Sequence, residues 1–213
     1  MNGKKGFFWA MMTLLLEGLI IALLVPSSWM REMAEMEYDW LDSVYTESSM
    51  VWMREKTLDW HYTLTRETGL ADSLEWMFFP SEEARAKEKG MAKLGENLWF
   101  PYLESRGEAL DDLVKITLLR LTSILIWAPL LFLIMVPVVF DGLMERKIKQ
   151  YTFKYPSPFL YRYGVRLVIT VSFLLFVCFL SPLPLPPMLL PLMILTCIAV
   201  MGLTVIGNMP KRL

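Results

Sequence analysis

The chain has 213 residues, of which 55% are hydrophobic, and its mean hydropathy is +0.42. The apolar residues are concentrated in long runs, which is typical of membrane helices and excludes a chain made only of a soluble domain. The formal net charge of −1 carries no indication of a nucleic-acid partner.

In chain order, the apolar runs lie in residues 1–26, in residues 116–140 and in residues 167–207. A bilayer core needs about 20 mostly apolar helical residues, and the last run is long enough for two spans. Four prolines between Ser181 and Pro187 divide it, because proline lacks an amide donor and clashes with the preceding helical turn. We therefore predict an all-α membrane protein with four transmembrane helices and a helical periplasmic lobe between helices 1 and 2.

A cleaved signal peptide is the alternative for the first run, since Lys4 and Lys5 precede it. The apolar part is long for a signal peptide, and the residues from Pro26 to Trp29 offer no small-x-small cleavage site. We expect the run to be retained as a membrane anchor.

The distribution of charge indicates which side of the membrane each segment faces. Residues 27–115 carry ten Lys and Arg against nineteen Asp and Glu, whereas residues 141–166 carry six against two. The positive-inside rule places the basic segment 141–166 and the tail 208–213 in the cytoplasm. We predict a multi-pass protein of the bacterial inner membrane, with both termini cytoplasmic and the acidic region 27–115 in the periplasm.

The acidic region begins with apolar residues at helical spacing: Trp29, Met33, Met36, Trp40 and Val44. Acidic residues lie between them, so the pattern predicts an amphipathic helix. Two interpretations remain open. The apolar stripe packs on neighbouring segments or lies at the membrane surface, or it is a docking surface for another protein.

Two ionisable residues fall within the predicted spans, where a charge is costly and indicates a functional contact by default. Glu17 lies near the middle of the first span, and Arg120 lies close to the outer end of the second. Because these depths differ, the Arg120 guanidinium is expected to extend to the outer membrane surface instead of pairing with Glu17. We interpret Glu17 as a hydrogen-bonded or protonated packing residue, with a transport carboxylate as the alternative.

The chain offers no pattern for catalysis, for a metal or for a cofactor. His61 is the only histidine and has no cysteine near it, so we interpret it as a solvated loop residue. Neither a nucleophile elbow nor a Gly-rich phosphate loop nor a catalytic carboxylate pair can be identified, and we expect no enzyme. Cys178 and Cys197 lie inside predicted spans and are expected to be buried small apolar residues.

The basic segment 141–166 also has two interpretations. Its bases bind anionic lipid headgroups and fix the topology, each contributing about 1 kcal/mol near a charged membrane surface. Its interleaved aromatic and basic residues also suit a protein interface, in which Tyr and Arg are common anchors. The candidate docking residues are Asp141, Gly142, Arg146, Lys147, Lys149, Tyr151, Tyr161 and Arg162.

Small residues recur at close spacing on two of the predicted spans. Gly18 with Ala22 lies on the first span, and Ala199 with Gly202 lies on the fourth. Such pairs let membrane helices approach closely. They predict tight helix packing, either within the chain or in a homo-oligomer.

The four-span layout and the motif that follows the second span resemble a known family. The matching positions are Asp141, Gly142, Leu143, Arg146 and Ile148, with Ser157, Phe159 and Tyr161 downstream. They are similar to the TraJ-type small inner-membrane proteins of conjugative plasmids and integrating conjugative elements. Members of that family often carry histidine after the tyrosine, whereas this chain has Arg162.

The resemblance implies a non-enzymatic accessory or scaffold subunit that partners the hexameric coupling ATPase of a conjugative type IV secretion system. It also implies contacts with other inner-membrane secretion components. Direct contact with nucleic acid is not expected, since the basic stretch is short and suits lipid headgroups. The alternatives are a small transporter or channel subunit that uses Glu17 as a coupling residue, and a membrane enzyme acting on lipid-linked substrates, for which no motif is found.

Overall fold

In a computed structural model of the chain, the described residues are Met12, Thr13, Leu16, 25–67, 69, 100–152 and 154–209. Every regular element in these ranges is helical, and none of these residues forms a strand. The predicted first span, residues 1–26, lies almost entirely outside the described residues. The same holds for residues 70–99 of the predicted outer region.

Five α-helices follow one another in the described ranges. They are α1 (Ser27–Val44), α2 (Glu47–Tyr62), α3 (Phe100–Tyr151), α4 (Pro158–Leu180) and α5 (Leu189–Val200). Two of them continue into a π-helical turn, α2 through Thr63–Glu67 and α5 through Met201–Ile206.

Among the described residues, three helical segments are long and apolar enough to cross a membrane: Ser105–Tyr151, Pro158–Leu180 and Leu189–Ile206. The all-helical class is therefore confirmed for the described residues, and the chain is a membrane-associated protein. The first of the four predicted spans, residues 1–26, lies almost entirely outside the described residues.

The longest helix, α3, has 52 residues and contains Pro129 and Pro137. At about 1.5 Å per residue, such a helix is much longer than a hydrocarbon core of about 30 Å. A substantial part of α3 must therefore lie outside the hydrocarbon. Beyond Phe140, where the predicted second span ends, α3 continues to Tyr151 without a break.

The packing divides the chain into two compact units. The first comprises Met1–Thr122 with Pro182–Pro184, and the second comprises Ser123–Ser181 with Leu185–Leu213. In the first unit, α1 packs against the early part of α3 through a cluster of Met30, Ala109 and Ile116.

The face that α1 buries is not the predicted stripe. The buried residues of α1 are Met30, Met33, Glu37 and Leu41. Of the predicted stripe only Met33 is among them, and Met36, Trp40 and Val44 are exposed. Apart from Trp29 and Met33, the predicted stripe does not pack on neighbouring segments, because α1 turns Glu37 inward instead. A position at the membrane surface or in a docking surface stays a prediction for the rest of the stripe.

Glycines at helix crossings allow the helices of the second unit to pack closely. Gly142 of α3 lies directly against the backbone carbonyl of Gly202 in the π-helical turn after α5. Gly164 of α4 meets the Thr204 side chain in the same turn. A side chain at either glycine would overlap its neighbour, so these positions let the helices approach closely.

We expect Gly142→Ala to lower the free energy of unfolding by about 1–3 kcal/mol, because the added methyl group meets backbone that cannot move aside. The matched control is Gly107→Ala on the same helix, where an added methyl group meets no atom within 4 Å. That control is expected to stabilise the protein by about 0.5–1 kcal/mol. Thermal unfolding in detergent measures both variants, and an equal response would contradict the close crossing.

Candidate functional site

A buried ion pair joins α1 to α3 in the first unit. The Arg120 guanidinium of α3 donates from Nε to Glu37 Oε1 at 2.8 Å and from Nη2 to Glu37 Oε2 at 2.6 Å. The same Nη2 donates to the backbone carbonyl oxygen of Leu183 at 2.6 Å. Three segments far apart in sequence therefore meet at one guanidinium.

Both charged side chains are shielded from solvent. The side chain of Arg120 is 2% exposed and that of Glu37 is 3% exposed. Removing two charges from water costs several kcal/mol each, and only a well-formed pair with further hydrogen bonds offsets this cost. The two parallel N–H···O bonds of an Arg–carboxylate pair are the geometry that offsets it best.

The expectation that Arg120 extends to the membrane surface is wrong. Its guanidinium is buried against Glu37, one of the acidic residues that lie between the apolar positions of the predicted amphipathic helix. A signal for Glu37 was present, since it follows Met33 by four residues and precedes Leu41 by four. Glu17, the other ionisable residue of the predicted spans, lies outside the described residues.

Leu183 supplies the third group of this site from the proline-rich segment after α4. The segment Pro182–Pro184 belongs to the first unit, together with α1 and the early part of α3. A carbonyl flanked by prolines has few backbone amides near it to accept from. The Arg120 guanidinium donates to this carbonyl and joins the segment to α3.

A second polar cluster lies on the early part of α3. His61 of α2 lies 2.7 Å from Asp111 Oδ1, and Lys115 Nζ lies 2.6 Å from Asp111 Oδ2. On the side of α1, Arg31 Nη2 lies 2.8 Å from Glu108. These groups are partly exposed, so each pair contributes about 1 kcal/mol at most.

The interpretation of His61 as a solvated loop residue is wrong, because its side chain is 16% exposed and sits on α2 against Asp111. Among the described residues, no group of three or more His, Cys, Asp or Glu side chains is placed to hold a metal ion. The arrangement of His61, Asp111 and Lys115 is that of a structural contact between α2 and α3.

A third polar cluster organises the predicted docking segment in the second unit. Lys149 Nζ donates to Asn208 Oδ1 at 2.9 Å and to the Gly207 carbonyl at 3.1 Å. The Ser157 amide donates to the same Asn208 oxygen at 3.3 Å. Asn208, which is buried, thus links the end of α3 and the start of α4 to the end of the last helix.

Some of the candidate docking residues are at least half-buried in the structure, and the others are exposed. Gly142 and Lys149 are engaged inside the second unit, and Arg146 and Tyr161 are half-buried. The exposed candidates are Asp141, Lys147, Tyr151 and Arg162. These four are the part of the predicted surface that a partner can reach without rearrangement of the helices.

We expect Glu37→Ala to lower the free energy of unfolding by about 3–5 kcal/mol, because the buried Arg120 guanidinium then lacks its carboxylate partner. The double variant Glu37→Met with Arg120→Met should recover most of this loss, since no buried charge remains. Glu35→Ala, on the exposed side of α1, is the control and should change stability by about 0.5 kcal/mol or less. Chemical unfolding in detergent tests the set, together with the single variants Glu37→Met and Arg120→Met. A loss in the double variant equal to the sum of the losses in these two single variants would contradict the pairing.

Most of the chain matches a known protein family. Residues 23–209 match the model of the DtrJ-like family, which is described as 'IncC plasmid conjugative DNA transfer protein DtrJ-like'. No curated protein and no solved structure matched the chain. The match includes all five described helices, which confirms the resemblance to membrane proteins of conjugative plasmids. The chain belongs to the DtrJ-like family, and its role is in conjugative DNA transfer.

Proposed function

We propose that the chain is a non-enzymatic accessory subunit of the inner membrane that partners the hexameric coupling ATPase of a conjugative type IV secretion system. The observation that carries the proposal is the family match over residues 23–209, in a chain whose described part has three helices able to cross a membrane. A membrane-embedded subunit of a DNA-transfer apparatus needs a surface for the motor and a means of holding that surface in place.

The exposed residues Asp141, Lys147, Tyr151 and Arg162 form the proposed surface for the ATPase. Tyr and Arg are enriched among the residues that dominate binding energy at protein interfaces. The bonds of Asn208 to Lys149 and to the Ser157 amide hold both sides of this surface to the last helix. A surface held in this way loses little conformational entropy on binding.

The proposed topology follows from the charge distribution. The basic segment 141–166 faces the cytoplasm, where a motor ATPase has access to ATP, and both termini lie on the same side. The acidic region 27–115 then lies in the periplasm, where it can contact other inner-membrane secretion components.

The proposal of a non-enzymatic role rests on how the reactive side chains are used. His61 is engaged with Asp111, and Arg120 is engaged with Glu37. These contacts join helices to one another, which suits a scaffold. The polar clusters of both units serve the same purpose of positioning segments that are distant in sequence.

The test is recovery of the ATPase with an affinity-tagged chain from cells that carry out conjugative transfer. The wild-type chain should recover a hexamer-forming ATPase. Lys147→Glu with Arg162→Glu should recover at least about tenfold less, because each interface anchor contributes about 1 kcal/mol or more. The matched control is Arg54→Glu with Lys56→Glu on α2, which makes the same charge change outside segment 141–166.

Wild-type protein that recovers no ATPase would refute the partnership. Equal recovery by the Lys147/Arg162 variant and by the control would refute the surface but not the partnership. Loss of DNA transfer in the Lys147/Arg162 variant with unchanged ATPase recovery would assign the surface to another component.

A further inference from the structure

Three side chains form an exposed row on the first three turns of α4. Phe159, Tyr163 and Arg166 follow at spacings of four and three, so they lie on one helix face. The rings of Phe159 and Tyr163 have centroids 4.2 Å apart, and the Arg166 guanidinium carbon lies 5.7 Å from the centre of the Tyr163 ring. We name these three residues the α4 ladder.

The turn before α4 adds to the charge and aromatic character of the ladder. Lys154 is exposed, and Tyr155 has a relative accessibility of 95%. No Asp or Glu occurs between residues 146 and 166, so nothing in this stretch of sequence neutralises the bases. The ladder and the turn together present cations beside amphipathic rings.

The ladder lies on the side of α4 that faces away from its packing contact. Gly164, which is buried against Thr204, projects about 140° around the helix from Phe159 at about 100° per residue. Deeper along α4 the ladder face continues through Thr170 and Leu174, which are also exposed. One continuous face therefore changes from aromatic and basic to largely apolar.

Such a sequence of side chains matches the profile of a bilayer from headgroup to hydrocarbon. Tyrosine is enriched at the membrane–water interface, because its ring is apolar and its hydroxyl is polar. Arginine binds phosphate through two parallel hydrogen bonds, and stacking on a ring orients its guanidinium. A protein partner on this face would have to displace lipid from the exposed positions deeper along α4.

We propose that the α4 ladder, with Lys154 and Tyr155, is a binding site for the headgroups of anionic phospholipids in the membrane that α4 crosses. The site rests on the membrane insertion of α4 and is independent of the ATPase partnership. Its cations are distinct from Lys147 and Arg162 of the proposed ATPase surface, so the two proposals can fail separately. Lipid bound here fixes the depth of α4 in the membrane.

Native mass spectrometry of the full chain in detergent, titrated with phosphatidylglycerol or phosphatidylcholine, tests the site. The wild-type chain should bind phosphatidylglycerol in preference to phosphatidylcholine. Lys154→Gln with Arg166→Gln should weaken phosphatidylglycerol binding by about tenfold or more, from about 1 kcal/mol for each cation. Arg54→Gln with Lys56→Gln is the matched control and should bind as the wild type does; Arg54 also stacks on a tyrosine, with 5.6 Å to the Tyr38 ring.

Two further measurements test the contribution of the guanidinium group and the source of the bound anion. Arg166→Lys retains the charge and should bind phosphatidylglycerol more tightly than Arg166→Gln but less tightly than the wild type. Inorganic phosphate should not displace the lipid. Displacement by phosphate at the concentration of the lipid would overturn the site as a lipid site.

Equal lipid binding by the Lys154/Arg166 variant and by the control would overturn the proposal. So would equal affinity of the wild type for both lipids. If the Lys154/Arg166 variant kept its lipid but lost ATPase recovery, the face would be a protein surface and the lipid proposal would be wrong.

Discussion

The Arg120 side chain imposes the constraint on which the first unit depends. A guanidinium cannot lose its charge at any accessible pH, so a buried arginine must find acceptors inside the protein. Glu37 supplies a carboxylate and Leu183 supplies a carbonyl, from segments 83 and 63 residues away. The Arg120 guanidinium thereby joins α1 and the segment Pro182–Pro184 to α3 within the first unit.

A buried ion pair of this kind selects a unique arrangement more than it adds net stability. Any other packing of α1 on α3 would separate the Glu37 carboxylate from Arg120 and leave the pair unformed. The second unit reaches uniqueness by different means. Gly142 and Gly202 permit one close crossing of the backbones, and buried Asn208 accepts hydrogen bonds from Lys149 and Ser157 that another register would break.

The sequence was sufficient to predict those features that depend on one dominant physical effect. Length and hydropathy identified the apolar segments that form parts of α3, α4 and α5. An apolar segment in lipid becomes a helix, because a helix satisfies all of its backbone hydrogen bonds internally. The Asp141-Gly142-Leu143 motif was enough to indicate the conjugative family. Neither inference needed to know which residues touch.

The sequence was insufficient where the state of one residue depends on another that is far along the chain. Glu37 resembles a solvated acid until Arg120 is placed beside it, and His61 resembles a loop residue until Asp111 is placed beside it. Gly142 is a further example of a residue whose role depends on a distant contact. Its motif was recognisable, but its contact with Gly202, 60 residues later, explains why a side chain is absent there.

Hydrogen–deuterium exchange of the Arg120→Gln variant tests most directly whether this arginine positions the first unit. We expect the amides of α1 and the peptide that contains Leu183 to exchange faster in this variant. The increase in α1 should be about 100-fold, because the buried Glu37 carboxylate loses the charged partner that Arg120 provides, at a cost of about 3 kcal/mol. Arg31→Gln, which removes an exposed contact of α1, should leave both nearly unchanged. Wild-type exchange rates in α1 of the Arg120→Gln variant would contradict the role assigned to this residue.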